Sequence, residues 1–229
     1  MILKFVTHSK HVGNIAKLFG WLPGARYTNL RDVRSFDRLG FLDIHWACYD
    51  FERHLAAAKS TRPLMTVARD VERKRDLGRI LEQADKLAEY AERVIIVPKD
   101  IKLAKDMNEI IPTRFILGFS VRSKYGATQI SPTAFRHRPV HLLGGRPDTQ
   151  RYLATIMPVV SLDCNRFTLD AAFGDYFDGE IFRPHSTGGY DRCIADSLAN
   201  INALWRDYKP PLLDSFCTDI SEQTNWRRI

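Results

Sequence analysis

Asp163 closes the apolar run Val159-Val160-Ser161-Leu162 and stands just behind a glycine pair in His141-Leu142-Leu143-Gly144-Gly145-Arg146-Pro147. The two stretches read as strand, glycine turn, short helix, strand, with a carboxylate at the last strand's C-terminal end. In parallel α/β folds that end of a strand carries the chemistry. Glycine at the turn lets backbone amides approach a ligand without a Cβ in the way. Two more aspartates stand similarly: Asp43 after Gly40-Phe41-Leu42, and Asp70 after Met65-Thr66-Val67-Ala68-Arg69. Taken singly, each has a plain structural explanation. Asp163 would cap the next turn, and Asp70 would cap a helix beginning at Val71. Three carboxylates converging from three strand ends point instead to acid–base or nucleophilic work. Lys99 and Asp100, Ser120 and Arg122, and His141 close other strands. His8 and His45 also fall near strand ends, where a structural use is the simpler account.

These groups need a frame that gathers strand ends on one rim. Short apolar runs at Ile2–Val6, Gly40–Ile44, Leu64–Ala68, Val94–Val97, Phe115–Val121, Val140–Leu143 and Val159–Leu162 read as seven strands buried on both faces. Between them, Val71–Glu92 shows a helical stripe (Leu77, Ile80, Leu81, Ala84, Leu87, Ala88, Ala91). Asp50–Lys59 and Asp148–Met157 read as shorter helices, each opened by a capping Asp. A last helix, Asp191–Tyr208, is stopped by Pro210-Pro211. The pattern predicts one domain over residues 1–229, a compact α/β (β/α)8 TIM-like barrel. The irregular, glycine-rich segment Thr168–Tyr190 would supply the eighth element. Pro23-Gly24 and the residues up to Asp37 read as a long loop over one barrel end. A doubly wound open sheet is the alternative.

At 229 residues the chain is long enough for a sizeable core, and 45% hydrophobic with 27% charged residues is a globular composition. No apolar run nears the roughly 20 residues of a membrane-spanning helix. The N-terminus reads as a first strand, not a signal peptide. Cys48, Cys164, Cys193 and Cys217 are scattered without a CxxC pair, so no zinc site is expected and free thiols in a reducing cytoplasm are. The net charge of +7 permits a polyanionic partner. Arg69, Arg73, Lys74 and Arg75, then Arg114, Arg122 and Lys124, then Arg136, Arg138 and Arg146, then Arg227 and Arg228 form local basic groups. Several of them follow strands and would share one rim.

The segment HLLGGRP at 141–147 resembles the HLFGxGxP segment of archaeal-type tRNA-guanine transglycosylases. In that family a short helix and a strand ending in Phe-Asp-Ser or Phe-Asp-Cys follow, and here Leu162-Asp163-Cys164 stands there. Gly40–Asp43 and Thr66–Val71 look like the strands bearing the family's other two aspartates. Arg93–Lys99, RVIIVPK, resembles the DpdA branch of phage and bacteria, which places 7-deazaguanines into DNA. The resemblance spans roughly Gly40 to Asn165. Departures are clear. The family's CxCxxC…H zinc site has no match, and Asp43-Ile44-His45-Trp46 replaces its Asp-Ser-Gly-Gly/Ser-Phe-Gln. Ser120-Val121-Arg122 stands where a base-contacting Gln is expected, and no counterpart of the RNA-binding C-terminal domain is expected. These differences fit a trimmed, zinc-free, DNA-directed relative better than a tRNA enzyme.

The resemblance implies a nucleophilic Asp163, with Asp43 as general acid and base. Asp70, Ser120, Gly144 and Gly145 would hold the base, with Phe41, Trp46 or Tyr125 stacking on it. Arg122, Lys124 and Arg146 would hold nucleic acid. The partners implied are DNA, presenting a flipped or single-stranded guanosine, and a free 7-deazaguanine, with no metal and no cofactor. Three alternatives stay open: exchange on tRNA, a non-catalytic DNA-binding protein, and a barrel enzyme acting on a phosphorylated sugar. In the last, Gly144-Gly145 would bind phosphate and Lys99 would form a Schiff base.

Overall fold

A computed structural model describes residues 2–122 and 127–211. Eight parallel strands close into a barrel in sequence order: β1 (Leu3–Thr7), β2 (Leu22–Arg26), β3 (Phe41–Asp43), β4 (Met65–Val67), β5 (Arg93–Ile96), β6 (Ile116–Ser120), β7 (Val140–Leu143) and β8 (Val159–Asp163). Outside them lie α1 (Lys10–Leu18), α2 (Phe51–Thr61), α3 (Leu77–Ala88), α4 (Met107–Ile110), α5 (Pro147–Leu153), α6 (Arg166–Ala171) and α7 (Tyr190–Leu204). An antiparallel hairpin, β9 (Asp175–Phe177) with β10 (Phe182–Pro184), sits between α6 and α7.

The eighth strand is not where the sequence suggests. The segment Thr168–Tyr190 forms part of α6 and the hairpin, outside the barrel, and the expected loop around Pro23-Gly24 is β2. Leu-Pro-Gly-Ala-Arg is a poor strand by composition, but it lies between β1 and β3 at a place where little room exists. A Cβ at Gly24 would meet Thr7 Oγ1 at 2.3 Å and the Phe41 carbonyl oxygen at 3.3 Å. Glycine is demanded there by close backbone approach.

The helices are shorter than their stripes suggest. Val71 does not open a helix: it bridges to Pro98, its amide donates to the Val97 carbonyl, and α3 starts only at Leu77. Asp70 therefore caps no helix. Asp50 does cap α2, accepting from the Arg53 amide at 3.1 Å. Asp148 lies inside the first turn of α5, whose N-cap is Arg146. No helix among the described residues is long and apolar enough to cross a membrane.

Phe5, Phe41 and His141 come from β1, β3 and β7, which are not neighbours, yet their rings touch. Phe41 and His141 stack at 5.1 Å, and Phe5 lies 5.5 Å from Phe41 and 6.0 Å from His141. Such contacts are made only across the bore, so these rings form one of its packed layers. Side chains two apart on a strand share a face. Asp43, two beyond Phe41, therefore opens onto the mouth of the bore above that layer.

Candidate active site

The β8 end of the mouth is built around Asp163. A register shift at Val140/His141 sets His141 opposite Ser161. His141 Nδ1 lies 2.8 Å from Ser161 Oγ, and both side chains are fully buried. Because His141 faces the bore, Ser161 does too, and so does Asp163 two residues on. His141 Nε2 is 3.4 Å from Asp163 Oδ1, and the Gly144 amide donates to that same oxygen at 3.1 Å. One carboxylate oxygen is thus tied to the protein. Gly144 and Gly145 take φ +62° and +94°, a path that turns the chain back over β8. Gln150 of α5, completely buried, donates to the carbonyls of Gly144 at 2.7 Å and Asp163 at 2.9 Å, clamping the turn to the strand end. Cys164 is buried behind it, its thiol pushed up to about 12 by desolvation, and is no nucleophile at neutral pH.

Asp43 ends β3 in register with Arg26, the last residue of β2. Burial, then the charge of Asp163, raise its carboxyl to about 7. The Ile44 amide, which donates to Oδ1 at 2.8 Å, and Arg26 oppose that rise, while Asp70 adds to it. Near neutrality Asp43 therefore still holds its proton in a large share of molecules, beside the carboxyl of Asp163, an arrangement that can place an acid next to a nucleophile or base.

Asp70 lies farther round the mouth. Its Oδ2 is 2.6 Å from Lys99 Nζ, with both side chains mostly shielded, and Glu72 Oε1 is 3.5 Å from the same ammonium. Burial alone would lower Lys99, but Asp70 and Glu72 outweigh it and the ammonium titrates above its ordinary value. A lysine held protonated in this way is a poor Schiff-base nucleophile. Beside it Arg69 lies over the Tyr49 ring at 6.0 Å.

The other candidates separate. Ser120 sits half-buried at the β6 end, pinned by paired bonds with Thr128, whose hydroxyl accepts from the Ser120 amide at 3.0 Å. Arg122 follows it, exposed. Arg146 is exposed at the start of α5, bound to Asp148 at 3.0 Å and lying 5.6 Å from the Phe182 ring of the hairpin. Lys124 and Tyr125 lie outside the described residues. Phe41 belongs to the buried ring layer under the mouth and cannot lie over a bound base; Trp46, 62% exposed just after β3, is the free aromatic of that pair. His45 accepts from the Cys48 amide at 3.2 Å, a local turn contact. Asp100 leaves the site as well, both oxygens taken by the amides of Lys74 at 2.7 Å and Lys102 at 3.0 Å.

Arg26 and Gln150 escape the sequence reading. Arg26 is hidden because its strand reads as a loop. Gln150 is hidden because a glutamine in a short helix looks like surface. Among the described residues no group of three or more His, Cys, Asp or Glu side chains is arranged to hold a metal ion.

No curated protein matches this chain. A family model described as a family of unknown function, DUF6610, matches residues 16–206, a span that takes in all three mouth aspartates and the glycine turn. The chain belongs to the DUF6610 family.

Proposed function

We propose that the protein is a transglycosylase that exchanges guanine in DNA for a free 7-deazaguanine through a covalent Asp163–sugar intermediate. The observation that carries this reading is the asymmetric aspartate pair. Asp163 has one oxygen tied to Gly144 and aimed at by His141, and Asp43 is raised to about 7 beside it.

In the first half-reaction the untied Asp163 oxygen attacks C1′ of a guanosine drawn out of its stack. The C1′–N9 bond breaks, its electrons go to the purine, and Asp43 delivers the proton that lets guanine leave as a neutral base. The incoming 7-deazaguanine then gives its N9 proton to Asp43 and attacks C1′, and Asp163 departs as a carboxylate. Two displacements at one carbon are the logic of a retaining glycosidase, with a base in place of water. An acid titrating near 7 suits both directions of proton transfer.

Asp70 is the acceptor for the N1 and exocyclic amino donors of a guanine edge, with its second oxygen held by Lys99. The Gly144 amide already serves Asp163, which leaves Gly145, with Ser120 at the end of the neighbouring strand β6, as the candidate contact to O6. Arg122, Lys124 and Arg146 are the proposed phosphate contacts. The scheme needs no cofactor. Its setting is the cytoplasm, where DNA, free base and reduced thiols coexist.

The test is incorporation of labelled guanine into DNA. Wild-type protein makes the polymer radioactive. Asp163→Asn abolishes incorporation, to below about 1% if the covalent step supplies a nucleophile's usual share of the rate, with DNA affinity nearly unchanged. Incorporation into folded tRNA but not into DNA would overturn the choice of polymer. A fully active Asp163→Asn would overturn the mechanism.

A further inference from the structure

Outside the Asp70–Lys99 pair, the same two loops that carry it form a second feature. The loop after β4 and the loop after β5 enclose a cleft of about 320 Å³ lined by Arg73, Lys74, Arg75, Asp100 and Lys102. The Lys99 and Asp100 amides both donate to the Val71 carbonyl, at 3.1 and 3.2 Å, which ties the two loops to each other. By sequence pattern Arg75 belongs to the outer face of a long helix. The structure instead sets it in the 3-10 turn Lys74–Asp76, on the barrel's mouth side.

The chemistry of the cleft is one-sided. Among the described residues its only lining acid, Asp100, has both oxygens engaged by the Lys102 and Lys74 amides, which hold its carboxyl below the usual range. It braces the backbone of the two lysines, and its single charge is shared between their two ammonium groups. Arg73 is fixed by Asp76 at 3.0 Å, and Lys74 by Asp106. Arg75 and Lys102 have no carboxylate at ion-pair distance among the described residues. Two cations without a direct ion pair on a preformed rim, beside two immobilised ones, suit a chain of singly charged groups spaced along a flexible strand.

We propose that this cleft is the track for the phosphodiester backbone of the DNA strand whose base enters the aspartate mouth. The assignment of the strand rests on the function proposed above. The cleft lies next to Asp70 through Val71 and Lys99, so a nucleotide with its base against Asp70 has neighbouring phosphates within reach of Arg75 and Lys102.

The experiment is fluorescence anisotropy of a labelled single-stranded oligodeoxynucleotide across a salt series, alongside the labelled-guanine assay. Arg75→Gln with Lys102→Gln removes two exposed charges. It should weaken binding about tenfold and flatten the log–log salt slope by roughly 1.4, at about 0.7 for each single-strand phosphate no longer neutralised. Lys17→Gln with Lys59→Gln serves as control, because these lysines lie in the last turns of α1 and α2, at the opposite barrel end. The control should leave affinity and slope unchanged. An unchanged slope in the cleft variant, or an equal loss in the control, overturns the track even if wild-type protein exchanges guanine. A cleft-dependent slope in a wild-type protein that exchanges nothing supports the track and removes the transglycosylase reading instead. Tighter binding to RNA of the same sequence overturns the assignment to DNA.

Discussion

His141 Nε2 faces Asp163 Oδ1 across 3.4 Å while its other ring nitrogen, Nδ1, meets Ser161 Oγ at 2.8 Å. The imidazole is an internal strut: Ser161 holds one end, and the other end faces the Asp163 oxygen that the Gly144 amide ties down. Ser161→Ala leaves Nδ1 buried without its partner, which should cost about 1–2 kcal/mol in urea unfolding and lower exchange more than it lowers DNA binding. A variant with unchanged stability and exchange would show that the strut does no positioning.

Asp43 makes stability depend on pH in a defined direction. The folded chain keeps the Asp43 proton up to about pH 7, whereas an ordinary aspartate releases it near 3.8. Between those values the folded state binds the extra proton, so this contribution is lost as pH rises through the window. Asp43→Asn keeps the oxygen that accepts from Ile44 and removes the titration. Relative to wild type it should gain roughly 1–2 kcal/mol between pH 5 and pH 8, below the full linkage value because the carboxyl keeps some water, and it should lose exchange. Urea midpoints of the two proteins at both pH values measure this, and a constant difference would sink the claim.

Gly145 is constrained twice. Its φ is +94°, and a Cβ there would sit 2.4 Å from Val121 Cγ1. Gly145→Ala should cost about 2–4 kcal/mol. Gly144→Ala, at φ +62° with open space around it, should cost about 1 kcal/mol. The alanine at 145 should be less damaging in a Val121→Ala background, and a double-mutant cycle without that coupling would place the strain elsewhere.

Lys99→Met strands the shielded Asp70 carboxylate and should destabilise by about 2–4 kcal/mol, while Lys99→Met with Asp70→Asn should recover much of it. Strict additivity of the two changes in thermal or urea unfolding would mean the 2.6 Å pair is not coupled.

How much of this was readable in the chain varies element by element. β4, β5, β7 and β8 announce themselves because strands covered on both faces are continuous apolar runs. β2 hides because it has one large apolar residue, and its Gly24 answers to space, not propensity. With β2 unread, Arg26 could not be matched to Asp43. Val71–Asp76 looks like a helix start, yet after Val71 it offers no apolar residue to a helical stripe before Leu77. Its backbone is claimed by the next strand through Pro98 and Val97. The three aspartates were legible because strand-end position follows from strand boundaries. The partners that set their chemistry, His141 with Ser161, Gln150, and Lys99 with Asp70, were not, since each pairing spans separate elements.

The seam between the first and last strands has a consequence for how the molecule is made. Phe5 pairs with Asp163, and the Thr7 amide donates to Asn165 Oδ1 across 158 residues of chain. A nascent polypeptide leaving the ribosome can pair β1 through β7 in order, but its sheet stays open, with β1 and β7 as bare edges, until β8 emerges. Ring closure of that length makes late assembly slow. Asp163 arrives on the strand that shuts the ring, so the aspartate pair, and any chemistry it performs, comes into being in the same event that removes the last exposed edge.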